Sequence, residues 1–220
     1  MLSQFMKNGI KHKGKVHGLI VPHAGYAYSG KIAGGAYELL KGMQIDRAIV
    51  LGPSHYAAFS GLASLEEIKT PLGEMKIIPN DYKKVKYEHS IDNQIPFLQK
   101  LKVKEILPLV VGYISNEEAQ SIAEQLVKEN KDALFVFSSD LSHFFIYDEA
   151  VKLDNETIKL IEKLDLKNAS KMDACGQFPL LIMMHLCKLK KYKPKLIEYK
   201  NSGDITGDKS SVVGYASFAF

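Results

Sequence analysis

Three histidines stand directly after segments that have the composition of buried strands. His23 lies in the sequence PHAG, His55 in GPSH and His143 in SSDLSH. Imidazole is the commonest protein ligand for Zn, Fe and Cu, and in open α/β sheets ligands bind where the strands end. A single histidine at the end of a strand usually has no role in metal binding or catalysis. Three strand ends with the same feature predict a metal or catalytic site.

A carboxylate stands three positions before the last of these histidines. Asp140 and His143 are the ends of the sequence DLSH. A carboxylate that hydrogen-bonds one ring nitrogen of a histidine fixes the tautomer and raises the basicity of the other nitrogen. We therefore expect Asp140 and His143 to orient other groups or to act as acid and base.

The two cysteines have different surroundings. Cys175 lies in DACG at the predicted start of a helix, where the positive end of the helix lowers the pKa of a thiol. Cys175 is therefore a candidate metal ligand or reactive group. Cys187 lies on the apolar helix face LLIMMHLC and is expected to be an inert core thiol. Both fall in one helical region, so we expect reduced thiols rather than a disulfide.

Short apolar runs rich in β-branched residues alternate with helical patterns along the chain. Strands are predicted at 17–21, 46–51, 105–111, 133–138, 195–199 and 211–220, and helices at 30–41, 90–100, 115–129, 148–164 and 176–189. A hairpin is predicted around the turn sequence TPLG, and Pro108 is expected to mark a sheet edge or a bulge. The sequence therefore predicts one α/β domain over residues 1–220, with a central mixed sheet flanked by helices.

Composition excludes several classes of protein. With 46% hydrophobic and 25% charged residues, the 220-residue chain has the balance of a compact globular protein. Arg47 is the only arginine, and because guanidinium groups are the usual readers of phosphates and guanine, we expect no nucleic-acid partner. The sequence has no apolar run of membrane-spanning length and no signal-peptide pattern at its start, so a cytoplasmic location is expected.

Six segments together resemble a known protein family. They are VPHAGYAYSG, LGPSHY, EHSIDNQIPFLQ, FSSDLSHF, DACG and NSGDITGDKSSVVGYASFAF, in this order from about residue 17 to residue 220. They are similar to the successive signature segments of the Memo family. That family is similar in fold to the class III extradiol dioxygenases, so the resemblance implies an extradiol dioxygenase-like α/β fold.

The resemblance also implies a ligand set and a group of catalytic candidates. It makes His23, His55 and Cys175 the metal ligands, with Cys175 in the place of the carboxylate ligand of the extradiol enzymes. It places three further residues in the same cavity as catalytic candidates, namely His89, Asp140 and His143. The implied cofactor is a divalent or redox metal ion, with Fe or Cu favoured and Zn as the alternative.

Two classes of function follow from these observations. The first is a metal-dependent redox activity of dioxygenase type, because two histidines and one anionic ligand leave open positions on a metal ion. The second is a non-enzymatic module that binds a small molecule or a peptide in the same cavity. A role beside radical-SAM enzymes is implied only by the names of prokaryotic relatives. The sequence leaves the substrate, the metal and the oligomeric state open.

Overall fold

The computed structural model describes residues 2–7, 9 and 14–220. The helices in these ranges are α1 (Leu2–Phe5), α2 (Tyr26–Glu38), α3 (His89–Asp92), α4 (Ile95–Lys100), α5 (Asn116–Glu129), α6 (Tyr147–Lys163), α7 (Gln177–Lys190) and α8 (Ser202–Thr206), with a 3-10 helix at Leu166–Lys171. The strands are β1 (Gly18–Val21), β2 (Arg47–Pro53), β3 (Leu62–Leu65), β4 (Lys69–Thr70), β5 (Gly73–Glu74), β6 (Lys76–Ile77), β7 (Lys83–Val85), β8 (Glu105–Val111), β9 (Leu134–Ser138), β10 (His143–Phe145), β11 (Lys195–Asn201) and β12 (Val212–Ala219).

One large mixed sheet forms the centre of the molecule. Its strand order is β10-β12-β1-β9-β2-β8-β3-β7, with β11 paired to β12 and β6 paired to β8. The four central strands β1, β9, β2 and β8 are parallel, whereas β12 runs antiparallel to β1 and β3 runs antiparallel to β8. This sheet, with helices on its faces, confirms the predicted fold class.

Alternate residues of the central strands enter two separate hydrophobic cores. In β2, Ile49 and Leu51 pack on the face covered by α5, α6 and α7, and Ala48 and Val50 pack on the face covered by α2 and α4. All four of these side chains are fully buried. Burial on both faces explains why the central strands are continuous apolar runs rather than alternating ones.

The strand order brings distant segments to one edge. Because β9 lies between β1 and β2 and all three are parallel, their carboxyl ends adjoin. His23 follows β1 by two residues, His55 follows β2 by two residues, and Asp140 follows β9 by two residues. The fold thus gathers these three side chains at the edge where ligands bind in α/β proteins.

Pro108 does not lie on an edge strand. It pairs with Val50 of β2, inside the sheet. On the opposite side of β8, the partner strand changes: β6 pairs with Glu105 and Ile106, whereas β3 pairs with residues 109–111. The missing N–H of proline therefore falls at a gap between two short partner strands. An interior strand tolerates it for that reason.

Several element boundaries differ from the predicted ones. The helix predicted at 90–100 is two short helices, α3 and α4, and the helix predicted from residue 30 begins at Tyr26. The hairpin at TPLG is confirmed as β4 and β5. The patterns did not predict β3, β7, β10 or α8, which are too short to show a period. Every helix in the described ranges lacks either the length or the apolar character needed to cross a bilayer.

Candidate metal centre

His23 is the buried centre of the candidate site. Its ring Nδ1 lies 2.9 Å from the Ser138 hydroxyl, and its Nε2 lies 3.2 Å from the Cys175 Sγ. Burial lowers the pKa of His23 to about 4, although the nearby Asp140 carboxylate opposes this shift. The ring is therefore neutral at neutral pH. With Nδ1 engaged by the hydroxyl, Nε2 has a lone pair for a ligand bond.

Two amides hold the His23 loop in place. The Gln94 side chain donates to Ser138 Oγ at 2.9 Å and to the Pro22 carbonyl at 3.0 Å. The Asn93 side chain donates to the His23 carbonyl at 2.7 Å. Both amides lie between α3 and α4, in the segment predicted as one continuous helix. The break in that helix is what places them against β1 and β9.

Asp140 fixes the backbone on the other side of His23. Its Oδ1 accepts hydrogen bonds from the backbone N–H groups of His23 at 2.8 Å and Ala24 at 3.3 Å. Its Oδ2 lies 3.9 Å from His23 Nε2. Among the described residues, the contacts of Asp140 go to the His23 loop and to Cys175 rather than to His143, so an orienting or acid/base role for Asp140 and His143 stays a prediction. His143 lies in β10, paired with Val213.

Cys175 approaches His23 from the start of α7. Its Sγ accepts a hydrogen bond from the Asp140 backbone N–H at 3.3 Å. The next residue, Gly176, is the N-cap of α7 and donates its N–H to the Ser139 hydroxyl at 3.0 Å. A Cβ at Gly176 would lie 2.5 Å from Ser139 Oγ, so only glycine permits this close approach.

The expected low pKa of Cys175 is wrong for the metal-free protein. Burial raises the pKa of this thiol well above its usual range, and the Asp140 carboxylate raises it further. Backbone hydrogen bonds from Asp140 and Cys175 offset only part of this increase. The helix begins where the sequence predicted it, but the thiol at its start is removed from solvent. Cys187 is fully buried, as predicted, and burial raises its pKa as well.

A second part of the centre is organised by Glu88, the N-cap of α3. Glu88 Oε1 lies 2.9 Å from His55 Nδ1 and 3.3 Å from His89 Nδ1. Its Oε2 accepts a hydrogen bond from the His55 backbone N–H at 2.7 Å. His89 Nδ1 also lies 3.0 Å from the Tyr56 hydroxyl. One buried carboxylate thus positions two imidazoles.

The three rings of this part form a compact cluster. The His55 and His89 ring centroids are 4.4 Å apart, and they lie 5.2 Å and 5.3 Å from that of His23. One ligand atom from each of these three histidines lies within 4.8 Å of the others. The same spacing joins His23 with Asp140 and Cys175. His23 therefore belongs to both groups, while His55 and Cys175, the two other predicted ligands, fall in different groups.

The donor set suits a transition-metal ion. In His23, His55 and His89, Nδ1 is engaged by Ser138, by Glu88 and by Tyr56, which leaves Nε2 of each ring for an ion. An imidazole that ligates a metal almost always has its other nitrogen bonded to such an oxygen. Neutral imidazole and thiolate are ligands of Zn, Cu and Fe. The predicted residues His23, His55, His89, Asp140 and Cys175 are thus brought together, and His143 lies outside both groups.

Sequence reasoning assigned no role to the residues that support the ligands. Glu88, Gln94 and Ser138 are buried polar residues, and Glu88 gave a signal as an acidic residue just before a helix. Gly25 and Gly52, which lie close to His23 and His55 in the chain, do not have the positive φ that would require glycine. At Gly52 the reason is instead close packing, because a Cβ would lie 2.3 Å from Ser90 Oγ.

The fold and the centre define an α/β protein with a histidine and cysteine cluster at the carboxyl ends of its parallel strands. The sequence matches the family described as Memo-like protein over residues 1–219. The chain belongs to this Memo-like protein family.

Relatives at moderate identity extend over most of the chain. A MEMO1 family protein of Sulfolobus acidocaldarius is 39% identical, covering 91% of this chain and 81% of its own length. A MEMO1 family protein of Aquifex aeolicus is 34% identical, covering 96% of this chain and 88% of its own length. Among solved structures, an uncharacterized protein from Escherichia coli K12 is similar with a TM-score of 0.60, over 92% of this chain and 99% of that one. At 12% sequence identity, this likeness shows the fold alone.

Proposed function

We propose that this Memo-like protein binds a divalent or redox metal ion through His23, His55 and Cys175 and uses it in a redox reaction of dioxygenase type. The observation that carries the proposal is the position of His23. Its buried, neutral ring directs Nε2 toward the Cys175 sulphur on one side and packs against His55 on the other. Because burial disfavours the protonated ring, a proton does not occupy the Nε2 lone pair at neutral pH, and a metal ion paired with the anionic donors can take that position.

The chemistry of the bound ion depends on its donors. When bound, a redox ion supplies one-electron chemistry and open positions for small molecules, and a thiolate donor favours softer ions such as Cu(I) or Zn(II). Fe and Cu are the ions we favour for a redox role. The protein's own residues hold the geometry: Glu88 keeps the His55 Nδ1 engaged, and Ser138 does so for His23. His89, Asp140 and His143 are the proposed catalytic residues for proton transfer.

Metal content and activity test this proposal directly. Protein purified without chelator should contain Fe, Cu or Zn, and metal-free protein should regain stability when an ion is added. His23→Ala should abolish binding, since His23 is common to both groups of donors. His17→Ala, which removes an imidazole at the opposite end of β1, is the matched control. Oxygen uptake with catechol should follow the metal content. Binding that survives His23→Ala would contradict the proposal.

Two pairs of aromatic side chains with exposed rings favour the second function, a ligand-binding module. Tyr56 and Tyr87 are 61% and 55% exposed, and their ring centroids are 5.2 Å apart beside His89. Tyr113, 64% exposed after β8, packs against Phe178 of α7. Exposed rings of this kind provide contact area for a small aromatic molecule or for a peptide side chain.

The two functions differ in their dependence on metal. Isothermal titration detects binding without an optical signal, which the eleven tyrosines of the chain and the ligand itself would obscure. Titration of metal-free protein with catechol or a tyrosine-containing peptide should give a saturable heat of binding if the module binds without an ion. Binding that is lost in Tyr56→Ala and kept in His23→Ala would favour the binding module. Binding that requires both His23 and the ion would favour the redox enzyme.

A further inference from the structure

A groove lies at the end of the sheet opposite to the candidate metal centre. The segments that lead into β1, β2 and β9 line it, together with the last turn of α5, and its volume is about 850 Å³. A narrower crevice, lined by side chains of α5 and α7, adjoins the groove and has Phe135 and Leu186 in its apolar lining. His17 and the loop at 130–131 line both spaces. The size of the groove falls in the range of sites that bind small molecules.

Lysine side chains without a salt-bridge partner surround these two spaces. Lys15 and Lys128 line the groove, Lys190 lines the crevice, and Lys131 lines both. The salt bridges among the described residues involve other lysines. Lys128 and Lys190 lie in the last turns of α5 and α7, where a positive charge offsets the helix dipole. Lys15 and Lys131 lie in loops, so the helix ends do not account for them.

The carboxylates of this region lie outside the crevice. Three of them line the groove, namely Asp46, Glu129 and Asp132. Asp46 is paired with Lys104 at 2.8 Å. Among the described residues, the charged side chains that line the crevice are those of Lys131 and Lys190. The crevice is therefore the more positive of the two spaces.

His17 stands where the groove meets the crevice, and its ring stacks on that of Tyr192. The ring centroids are 4.3 Å apart, and the angle between the ring planes is 11°. Burial lowers the pKa of His17, and the positive charges of Lys15 and Lys190 lower it further. Both ammonium groups therefore act on the same point. Stacked rings beside a positive charge suit a planar molecule that carries an anionic group.

We propose that the groove and the crevice bind a small molecule in which a planar ring carries a phosphate group. The phosphate lies among Lys15, Lys131 and Lys190, and the ring contacts the stacked pair of His17 and Tyr192. A phosphate monoester carries about two negative charges at pH 7, which matches a space with several unpaired ammonium groups. This site shares no residue with the candidate metal centre. The inference is therefore independent of the proposed function.

Three probes separate the parts of this inference: AMP, which has both chemical groups, inorganic phosphate and adenosine. Isothermal titration of the full chain should show that AMP binds at least about tenfold more tightly than either fragment, because the second contact becomes intramolecular. The double variant Lys131→Gln, Lys190→Gln should weaken AMP binding at least about tenfold, and added salt should weaken it in the wild type. The control is Lys83→Gln, Lys86→Gln, which removes the same charge from two exposed lysines elsewhere.

The aromatic contact has a test of its own. Tyr192→Leu should reduce the affinity for AMP nearly to that for inorganic phosphate, and it should leave the affinity for phosphate unchanged. Nuclear magnetic resonance of the His17 ring protons, assigned with His17→Ala, should show that AMP raises the pKa of His17. The reason is that the phosphate offsets the charges of Lys15 and Lys190. Adenosine has no phosphate and should leave this pKa unchanged.

Two results would overturn the inference. One is that AMP binds no more tightly than inorganic phosphate, which would mean that the lysines attract any anion. The other is an equal loss of AMP affinity in the two double variants. If Tyr192→Leu does not fold, the pKa of His17 in the wild type still tests the site, and an unchanged pKa at saturating AMP contradicts it. All of these measurements use protein without metal, so a failure of the proposed function would leave them unaffected.

Discussion

The Glu88 carboxylate contacts His55 at two points, accepting a hydrogen bond from the backbone N–H at 2.7 Å and lying 2.9 Å from the ring Nδ1. Burial alone would raise the pKa of Glu88, but hydrogen bonds from the His55 and His89 rings and from backbone N–H groups hold it well below its usual range. The carboxylate is therefore ionised wherever the protein is folded at neutral pH. Its charge is available to strengthen both imidazoles as metal ligands.

We predict that Glu88→Gln weakens metal binding about 10–100-fold, the usual effect of removing an outer partner of a metal ligand. The amide retains most of the side-chain volume but loses the negative charge, and its NH₂ group cannot accept the hydrogen bond that Oε2 accepts from the His55 backbone N–H. Isothermal titration of metal-free protein measures the change. Glu118→Gln, in the capping box of α5, is the control because it alters an acidic residue at another helix start. Equal affinities in the two variants would show that Glu88 serves only as a helix cap.

The parts of this centre that depend on neighbouring residues in the chain could be predicted from the sequence. The parts that depend on contacts between distant segments could not. The central strands could be predicted because each is a continuous apolar run, and His23 and His55 because they follow such runs. The role of Glu88 could not be predicted, since an acidic residue before a helix looks the same whether or not a histidine from another loop lies against it. The division between the His55 and Cys175 groups depends on the order of β1, β9 and β2, which local patterns do not contain.

Alkylation tests the effect of burial on the two thiols. Because burial raises the pKa of both Cys175 and Cys187, we expect iodoacetamide to modify both slowly in metal-free protein at pH 7. Modification of both should become fast in urea. Raising the pH should increase the rate of modification at Cys175 more than at Cys187. Adding metal should decrease the rate at Cys175 more than at Cys187. Mass spectrometry distinguishes the two sites. Rapid modification of Cys175 at pH 7 would show that the helix N-terminus outweighs burial after all.

A buried carboxylate away from the ligands predicts a pH-dependent stability. Asp154 is fully buried, and its oxygens accept hydrogen bonds from the Ser142 N–H at 2.9 Å and the Tyr199 hydroxyl at 2.7 Å. Burial nevertheless raises the pKa of Asp154 above 3.8, the value for an ordinary aspartate. The folded state therefore holds the proton of this carboxyl more tightly than the unfolded state does. This contribution to stability is complete below the unfolded pKa and is lost as the pH rises through the folded pKa.

Asp154→Asn removes this titration. We expect the free energy of unfolding of the wild type, relative to that of Asp154→Asn, to fall as the pH rises from about 4 toward 7. Urea unfolding of metal-free protein across this range measures the difference in slope. Asp148→Asn, an exposed substitution in the first turn of the same helix, should run parallel to the wild type. If the free energies of unfolding of all three proteins change in parallel with pH, burial does not raise the pKa of Asp154.

The packing of α3 against β2 links stability to metal affinity. A Cβ at Gly52 would lie 2.3 Å from Ser90 Oγ and 2.9 Å from Ser90 Cβ. Ser90 also donates its hydroxyl to the Pro53 carbonyl at 2.9 Å, so it cannot move without losing a buried hydrogen bond. Ser90 directly follows Glu88 and His89 in the chain. A displacement of Ser90 therefore moves the carboxylate that positions His55.

We predict that Gly52→Ala destabilises the protein by about 1–3 kcal/mol, the usual effect of overpacking a filled core, and weakens metal binding as well. Thermal unfolding and titration with Co²⁺ measure the two effects. Gly25→Ala is the control, since a Cβ there would meet its nearest neighbour at 3.9 Å and φ is not positive. Adding Ser90→Gly to Gly52→Ala should recover part of the lost stability, because it removes the atoms that the methyl group meets. If Gly52→Ala has the stability and the metal affinity of the wild type, α3 shifts without cost. The packing of α3 against β2 then does not position His55.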